Sequence, residues 1–304
     1  MPSLDRVLIA TDFSERAARA EASAARLCVQ QGSRVAELLT VHEAERVERL
    51  ARLIAGTSDA ARAMLNDAAT QALDARLSEL QSEYGLRAGI CLRFGGAAPA
   101  IAERADELDA DLVAIGAHGG GFFSDLFLGN TADRLARLLQ RPLLVVKNAV
   151  AADYQRVLVP VDFSPASRKA AQLAMAVAPG ADITFLHAYE AWFEGGLRLA
   201  NVPREAIEQM REAARAEATQ ALDTFIAELG IRTGNVSRIL QFGPAGRVVR
   251  EQATSLRPDL IVMGKHGRTR LAEFILGSVT RDTLQWAPCD VLVAHGAAEA
   301  VPRD

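Results

Sequence analysis

Apolar residues are laid down in two ways along this chain. Short, nearly continuous runs, such as VLIA at 7–10 and LIVM at 260–263, are rich in β-branched residues and read as strands. Longer stretches, in which apolar positions recur every three or four residues among Arg, Glu and Ala, read as amphipathic helices. The two kinds alternate. In the first half strands are expected at 5–11, 34–41, 87–94, 111–115 and 143–146. A helix capped by Ser14 runs to about Gln31, the segment 43–81 has room for two helices broken near 56–59, and further helices fall at 99–108 and 131–139. The second half repeats the order, with Ser164-Pro165 as an N-cap followed by a first-turn proline. Its long helix at 204–229 is expected to bring Ile207, Met210, Ala214, Ala221, Phe225 and Leu229 to one face. Strands that are apolar throughout, rather than at every second position, belong to parallel sheets covered by helices on both faces.

The repetition extends to the letters. RVLIATDFS at 6–14 returns as RVLVPVDFS at 156–164, DLVAIGAHG at 111–119 as DLIVMGKHG at 259–267, and Pro142 before its strand as Pro288 before the last one. A duplicated unit follows. The expected domains are 1–148 and 154–297, joined by a short linker. Each is expected to be a doubly wound α/β domain with a five-stranded parallel sheet in the order 3-2-1-4-5, the two related by pseudo-twofold symmetry. In that order the sheet reverses its winding between the first and fourth strands, and ligands bind beyond the carboxyl ends there. Asp162 and Gly264 end those strands in the second half, Asp12 and Gly116 in the first. Pairing of the fifth strands, 143–146 with 291–294, removes two exposed edges and makes an internal pseudo-dimer, with a further homodimer of chains left open.

The candidate chemistry gathers at 259–280. The strand breaks into a loop with the spacing GxxG, nine residues, GS: Gly264, Gly267, Gly277 and Ser278. Glycines let backbone approach a phosphate, and the following helix offers unpaired amides with roughly half a positive charge at its N-terminus. Lys265 and Arg268 read as cations beside those amides. No GxxxxGK[ST] and no GxGxxG after a strand occurs in the sequence. No triad, paired acids or nucleophile elbow is legible either, which favours binding over turnover.

Charge and composition narrow the rest. With 34 Lys and Arg against 38 Asp and Glu, the formal charge is −4, and no basic patch for nucleic acid or an anionic membrane stands out. No run approaches the roughly 20 apolar residues of a membrane span, and no leader pattern opens the chain, so a cytoplasmic setting is expected. Cys28, Cys91 and Cys289 are odd in number and form no CxxC pair, as buried thiols in a reducing compartment do. His42, His187 and His295 fit no metal-ligand spacing, so no protein-held metal is expected. His118 and His266 occupy equivalent positions in the two loops, where an imidazole either faces a phosphate or packs.

Taken together, VLVPVDFSPAS at 157–167, FLHAYE at 185–190 and MGKHGRTRLAEFILGSVT at 263–280 resemble the universal stress protein family in its tandem form, over essentially the whole chain. The resemblance implies an adenine-nucleotide-hydrolase-like fold and an ATP-binding regulatory protein of the stress response, with magnesium as a companion ion of ATP. It implies that Asp162 meets the ribose hydroxyls, with Pro160 and Val161 before it among the cofactor-binding residues, that the backbone around Ala188 meets the adenine edge, and that Met263 and Gly264 line the nucleoside. It assigns the phosphates to Gly267, Arg268, Gly277, Ser278, Val279 and Thr280, with His266 counted among the cofactor-binding residues. The first half departs from the pattern: Asp12, Val41, Gly116, Gly119 and Gly129 persist, but Asn130 replaces the serine, and Ala117 and Gly120 replace Lys265 and Arg268. Charge-assisted hydrogen bonds are about twice as strong as neutral ones, so weaker binding is expected there. Two alternatives remain: an interaction protein that uses the helical segments 43–81 and 189–229 for a protein or apolar ligand, and a slow ATPase or ATP-dependent transferase.

Overall fold

A computed structural model describes residues 4–54, 57–117, 128–148, 153–190, 203–231, 235–267 and 276–295. The first half runs β1 (Arg6–Thr11), α1 (Glu15–Gln31), β2 (Val35–His42), α2 (Ala44–Leu53), α3 (Ser58–Tyr84), β3 (Gly89–Phe94), α4 (Ala97–Glu107), β4 (Leu112–Gly116), α5 (Asn130–Leu138) and β5 (Leu143–Val146). The second half runs β6 (Arg156–Pro160), α6 (Pro165–Val177), β7 (Asp182–Tyr189), α7 (Arg204–Glu228), β8 (Val236–Phe242), α8 (Ala245–Leu256), β9 (Leu260–Gly264), α9 (Ser278–Trp286) and β10 (Asp290–Ala294). Caps set several boundaries as the sequence indicates. Ser14 Oγ accepts from Ala17 N and Ser164 Oγ from Ser167 N, while Gly32 closes α1 in the left-handed conformation with φ of 65°.

Among the described residues ten strands form one sheet in the order β3-β2-β1-β4-β5-β10-β9-β6-β7-β8. Each half is therefore 3-2-1-4-5, with parallel pairing inside it. The halves meet through an antiparallel β5–β10 pair, in which Leu144 faces Leu292. One apolar cluster lies on each face of the sheet: Val7 and Ile9 of β1 point into one, Leu8 and Ala10 into the other. Two-sided burial accounts for the unbroken apolar runs.

The long helix of the second half sits differently from expectation. Ile207 and Phe225 are buried, but Met210 is 42% exposed, and Ala218 and Leu222 take core positions instead. Three- and four-residue steps can be threaded along several stripes of an Ala-rich helix, and packing selects one.

Side chains from both halves fasten the seam. Asp290, fully buried, accepts from Lys147 N (2.8 Å), Asn148 N (3.2 Å) and Tyr154 Oη (2.8 Å). Lys147 Nζ donates to Ala287 O (2.7 Å) at the C-terminus of α9. A cation there complements the helix dipole.

Candidate functional site

At the switch point of the second half, β6 and β9 end side by side and a cavity of about 360 Å³ opens beyond them. Pro160, Val161 and Asp162 leave β6 into it, Ala188 comes from β7, and Met263 and Gly264 end β9. His266 and Gly267 follow, and Gly277, Ser278, Val279 and Thr280 close the wall with the first turn of α9. Arg268 lies outside the described residues.

Local chemistry fixes each wall. Asp162 Oδ1 accepts from Ser164 N (3.1 Å) and Ser164 Oγ (2.6 Å), forming an Asx turn that lets Phe163 take φ of 65°. The carboxylate thus orients the turn while lining the cavity. Its Oδ2 lies where a Cβ on Gly267 would come within 2.9 Å. His187 bonds Val161 O at 2.8 Å through Nδ1, and its ring lies 4.3 Å from that of Phe163 at a tilt of 36°, a structural place at the strand end.

The glycines divide by neighbour. A Cβ on Gly264 would meet Ala166 Cβ at 2.8 Å and Ala166 C at 2.9 Å, so α6 packs directly on this strand end. Gly277 N donates to Lys265 O (2.9 Å), and Thr280 Oγ1, buried, donates to Gly264 O (2.8 Å). The hydroxyl of Thr280 therefore ties α9 to β9. Gly277 caps α9 without a side-chain bond, and the helix's first intrahelical acceptor serves Arg281 N. The amides of Ser278, Val279 and Thr280 precede it and have no intrahelical acceptor.

Lys265 is the largest departure from the sequence reading. It is 2% exposed, and its Nζ donates to Arg137 O (2.6 Å) and Leu139 O (2.9 Å), at the C-terminus of α5 in the other half. The residue follows the strand end with its side chain turned toward the seam, so it is no cation for the cavity. Burial lowers its pKa from 10.5 to about 8. His266 is held below its ordinary value, first by burial and then by the Lys265 ammonium. Its ring lies 6.3 Å from that of His295.

The equivalent pocket of the first half measures about 130 Å³ and is lined by Asp12, Val41, Gly116, Gly129 and Asn130, among others. His118, Gly119 and Gly120 lie outside the described residues. The scaffold bonds match those of the second half: Gly129 N to Ala117 O (2.9 Å) and Ala117 N to Val146 O (2.8 Å), against Gly277 N to Lys265 O (2.9 Å) and Lys265 N to Ala294 O (2.8 Å). Asp12 Oδ1 likewise accepts from Ser14 N (3.1 Å). The filling differs, with Val41 and Ile101 standing where the larger pocket has Ala188 and Val249.

Ser167, Leu186, Ala245 and Val249 also line the larger cavity, and the sequence reading missed them. The repeat carried a signal for two of these, since Ala97 and Ile101 recur at Ala245 and Val249 with the same offset of 148 as the loop glycines. Among the described residues no group of three His, Cys, Asp or Glu is placed to hold a metal ion, and no helix is long and apolar enough to cross a membrane.

The sequence model of the universal stress protein family matches residues 3–147 and again 153–295. A universal stress protein of Mycobacterium tuberculosis is 30% identical over 210 residues, 67% of this chain and 68% of its own. The crystal structure of a universal stress protein from Archaeoglobus fulgidus superposes with a TM-score of 0.67 at 18% identity, covering 96% of this chain and 98% of that one. A solved universal stress protein in complex with cAMP is 28% identical, covering 48% of this chain and all of its own, with a TM-score of 0.33.

Proposed function

The chain belongs to the universal stress protein family, and we propose that it is an ATP-binding regulatory protein whose nucleotide is held by the second half. The observation that carries this reading is the contrast in size between two pockets built on one scaffold. About 360 Å³ lies within the range of roughly 300–1,000 Å³ typical of small-molecule sites, whereas about 130 Å³ does not. The residues fit the group in kind. Asp162 is a carboxylate acceptor of the kind ribose hydroxyls require, Leu186, Ala188, Val249 and Met263 offer an apolar slot for the base, and the amides of Ser278, Val279 and Thr280 serve the phosphate end. ATP bound there would bring its own magnesium.

Regulation rather than turnover is supported by the one carboxylate of the described lining, Asp162, whose Oδ1 already accepts twice from Ser164. A ligand that binds only the native state stabilises it, by about 2.7 kcal/mol at a hundredfold excess over its dissociation constant. Such linkage is the physical basis of a nucleotide-dependent signal in a cytoplasmic stress response.

The test is to denature freshly purified protein, separate the small molecules released, and repeat with Gly267→Val. Adenine nucleotide is expected at about one per chain from the wild type and none from the variant. No released nucleotide, together with no ATP-dependent rise in melting temperature, overturns the proposal. ADP formation within the range of about one to a thousand per second would make the protein an enzyme instead.

A further inference from the structure

The helix that walls each pocket is held at its far end by a lysine from the opposite half. Helix α9 presents its first turn to the larger cavity and ends at Ala287, whose carbonyl accepts from Lys147 Nζ (2.7 Å). Helix α5 presents Asn130 to the smaller pocket and ends at Leu139, where Arg137 O and Leu139 O accept from Lys265 Nζ (2.6 and 2.9 Å). Each helix has nine residues, so it is a rod of about 13 Å whose ends move together.

The two lysines are not copies of one another. Lys265 follows β9, where the first half has Ala117, and Lys147 follows β5, where the second half has His295. The cross-bracing is kept while the residues that supply it differ. Lys265 has a second role through its backbone: its carbonyl holds Gly277 N (2.9 Å), the residue that opens α9. A single residue thus bonds Gly277, in the wall of one pocket, and the base of the helix that walls the other.

We propose that Lys265 is a positioning residue that couples the two pockets, transmitting occupancy of the second-half cavity to helix α5 and the mouth of the first-half pocket. The connection runs from Gly277 N to Lys265 O, along the lysine side chain to Arg137 O and Leu139 O, and up α5 to Gly129 and Asn130. Lys147 provides the reverse arm from β5 to α9. A ligand that shifts the α9 first turn displaces the Lys265 carbonyl and, through it, the buried ammonium. That ammonium has no water to fall back on at 2% exposure, so α5 moves with it. The identity of the ligand rests on the nucleotide reading above; the bracing itself does not.

The test compares the full chain with Lys265→Met, which keeps the length of the side chain and removes a buried charge, by peptide-level hydrogen exchange with and without ATP. In the wild type, ATP is expected to slow exchange across 128–139 about fivefold, the low end of measured site–site couplings. In Lys265→Met, ATP still protects 276–286 while 128–139 no longer responds. An unchanged α5 response in the variant, or none in the wild type while ATP protects 276–286, overturns the coupling. A wild type in which ATP protects nothing overturns the nucleotide reading instead, and the ligand-free comparison then decides. Lys265→Met alone should speed exchange throughout 128–139, including the Asp133 amide that bonds Gly129 O at the far end. Acceleration confined to 137–139 overturns the proposal. Lys147→Met serves as the reciprocal variant and should speed exchange across α9, whose C-terminal carbonyl it releases.

Discussion

The pocket beyond β6 and β9 and the pocket beyond β1 and β4 share a backbone and differ in their contents. Both have an Asx turn after the first strand, a glycine at the end of the fourth, and a helix opened by a glycine that bonds back to the strand end. Only one has room for a ligand of ordinary size, about 360 Å³ against about 130 Å³. The comparison divides the glycine motif into residues packed by the fold and residues that line the pocket. Gly116 survives in the smaller pocket because a Cβ there would meet Arg16 O at 3.1 Å, much as one on Gly264 would meet Ala166 C at 2.9 Å. Retention of these glycines in both halves therefore reports helix-on-strand packing. Gly267 is different, since among the described residues the close neighbour of an added Cβ there is the Asp162 carboxylate, at 2.9 Å.

The sharpest way to break this division is to fill the glycines one at a time. Gly264→Val and Gly116→Val should each destabilise the fold by about 1–3 kcal/mol or more, Gly264→Val the more severely because its contact is closer. Gly267→Val should change stability by less than about 0.5 kcal/mol, the range of substitutions away from packed features, while abolishing stabilisation by ATP. Urea denaturation with and without ATP measures both quantities. A Gly267→Val that unfolds as readily as Gly264→Val would erase the distinction.

A smaller effect separates the two carboxylates. Asp162→Asn preserves an acceptor for Ser164 and removes the charge, so ATP affinity should fall about ten- to a hundredfold, the worth of a hydrogen bond to a charged group at roughly 1.5–3 kcal/mol. Asp12→Asn makes the same change in the smaller pocket and should leave both affinity and stoichiometry alone. Titration calorimetry on the pair decides. Equal losses would mean that the first half also carries the nucleotide.

Much of this architecture is legible in the sequence because it is written in periods and repeats. Five apolar runs per half announce two five-stranded sheets, the 3-2-1-4-5 order expected for such a doubly wound fold is the one found, and the β5–β10 seam follows from the need to bury two edges. What the letters do not carry is the direction of a side chain at a strand end. Lys265 stands between two glycines of a phosphate-like loop and reads as a phosphate cation, yet the strand's exit turns it toward α5. The resemblance places Thr280 among the phosphate residues, and its hydroxyl is committed to Gly264 O. Met210 fits a helical stripe in spacing and lies outside it in space. Pocket size was hidden for a related reason: it depends on Ala188 and Val249 against Val41 and Ile101, chemically similar residues whose effect appears only when they converge.

The gentlest probe of the difference between halves acts on the lysines of the seam. Burial lowers Lys147 and Lys265 from 10.5 to about 8. Between pH 8 and 10.5 the unfolded chain then binds more protons than the folded one, and stability rises with pH across that window. Three buried groups act in the opposite sense. Burial raises Cys28 from 9.0 to about 11 and Cys289 from 9.0 to about 12, and it holds Tyr154 well above 10.0. The unfolded chain loses these protons first, from about pH 9 upward, which lowers stability. The sum is a gain on the order of 1 kcal/mol from pH 8 to 9, a flat top, and a decline above pH 10. Urea midpoints at half-unit steps from pH 7.5 to 10.5 should trace that curve. The double variant Lys147→Met with Lys265→Met should lose the rise and decline from pH 8.5 onward, because only the thiols and the phenol remain to titrate. A wild type that declines from pH 8 would mean that the two ammonium groups are solvated and the seam is open to water, and the bracing of each pocket by the other half would fail with it.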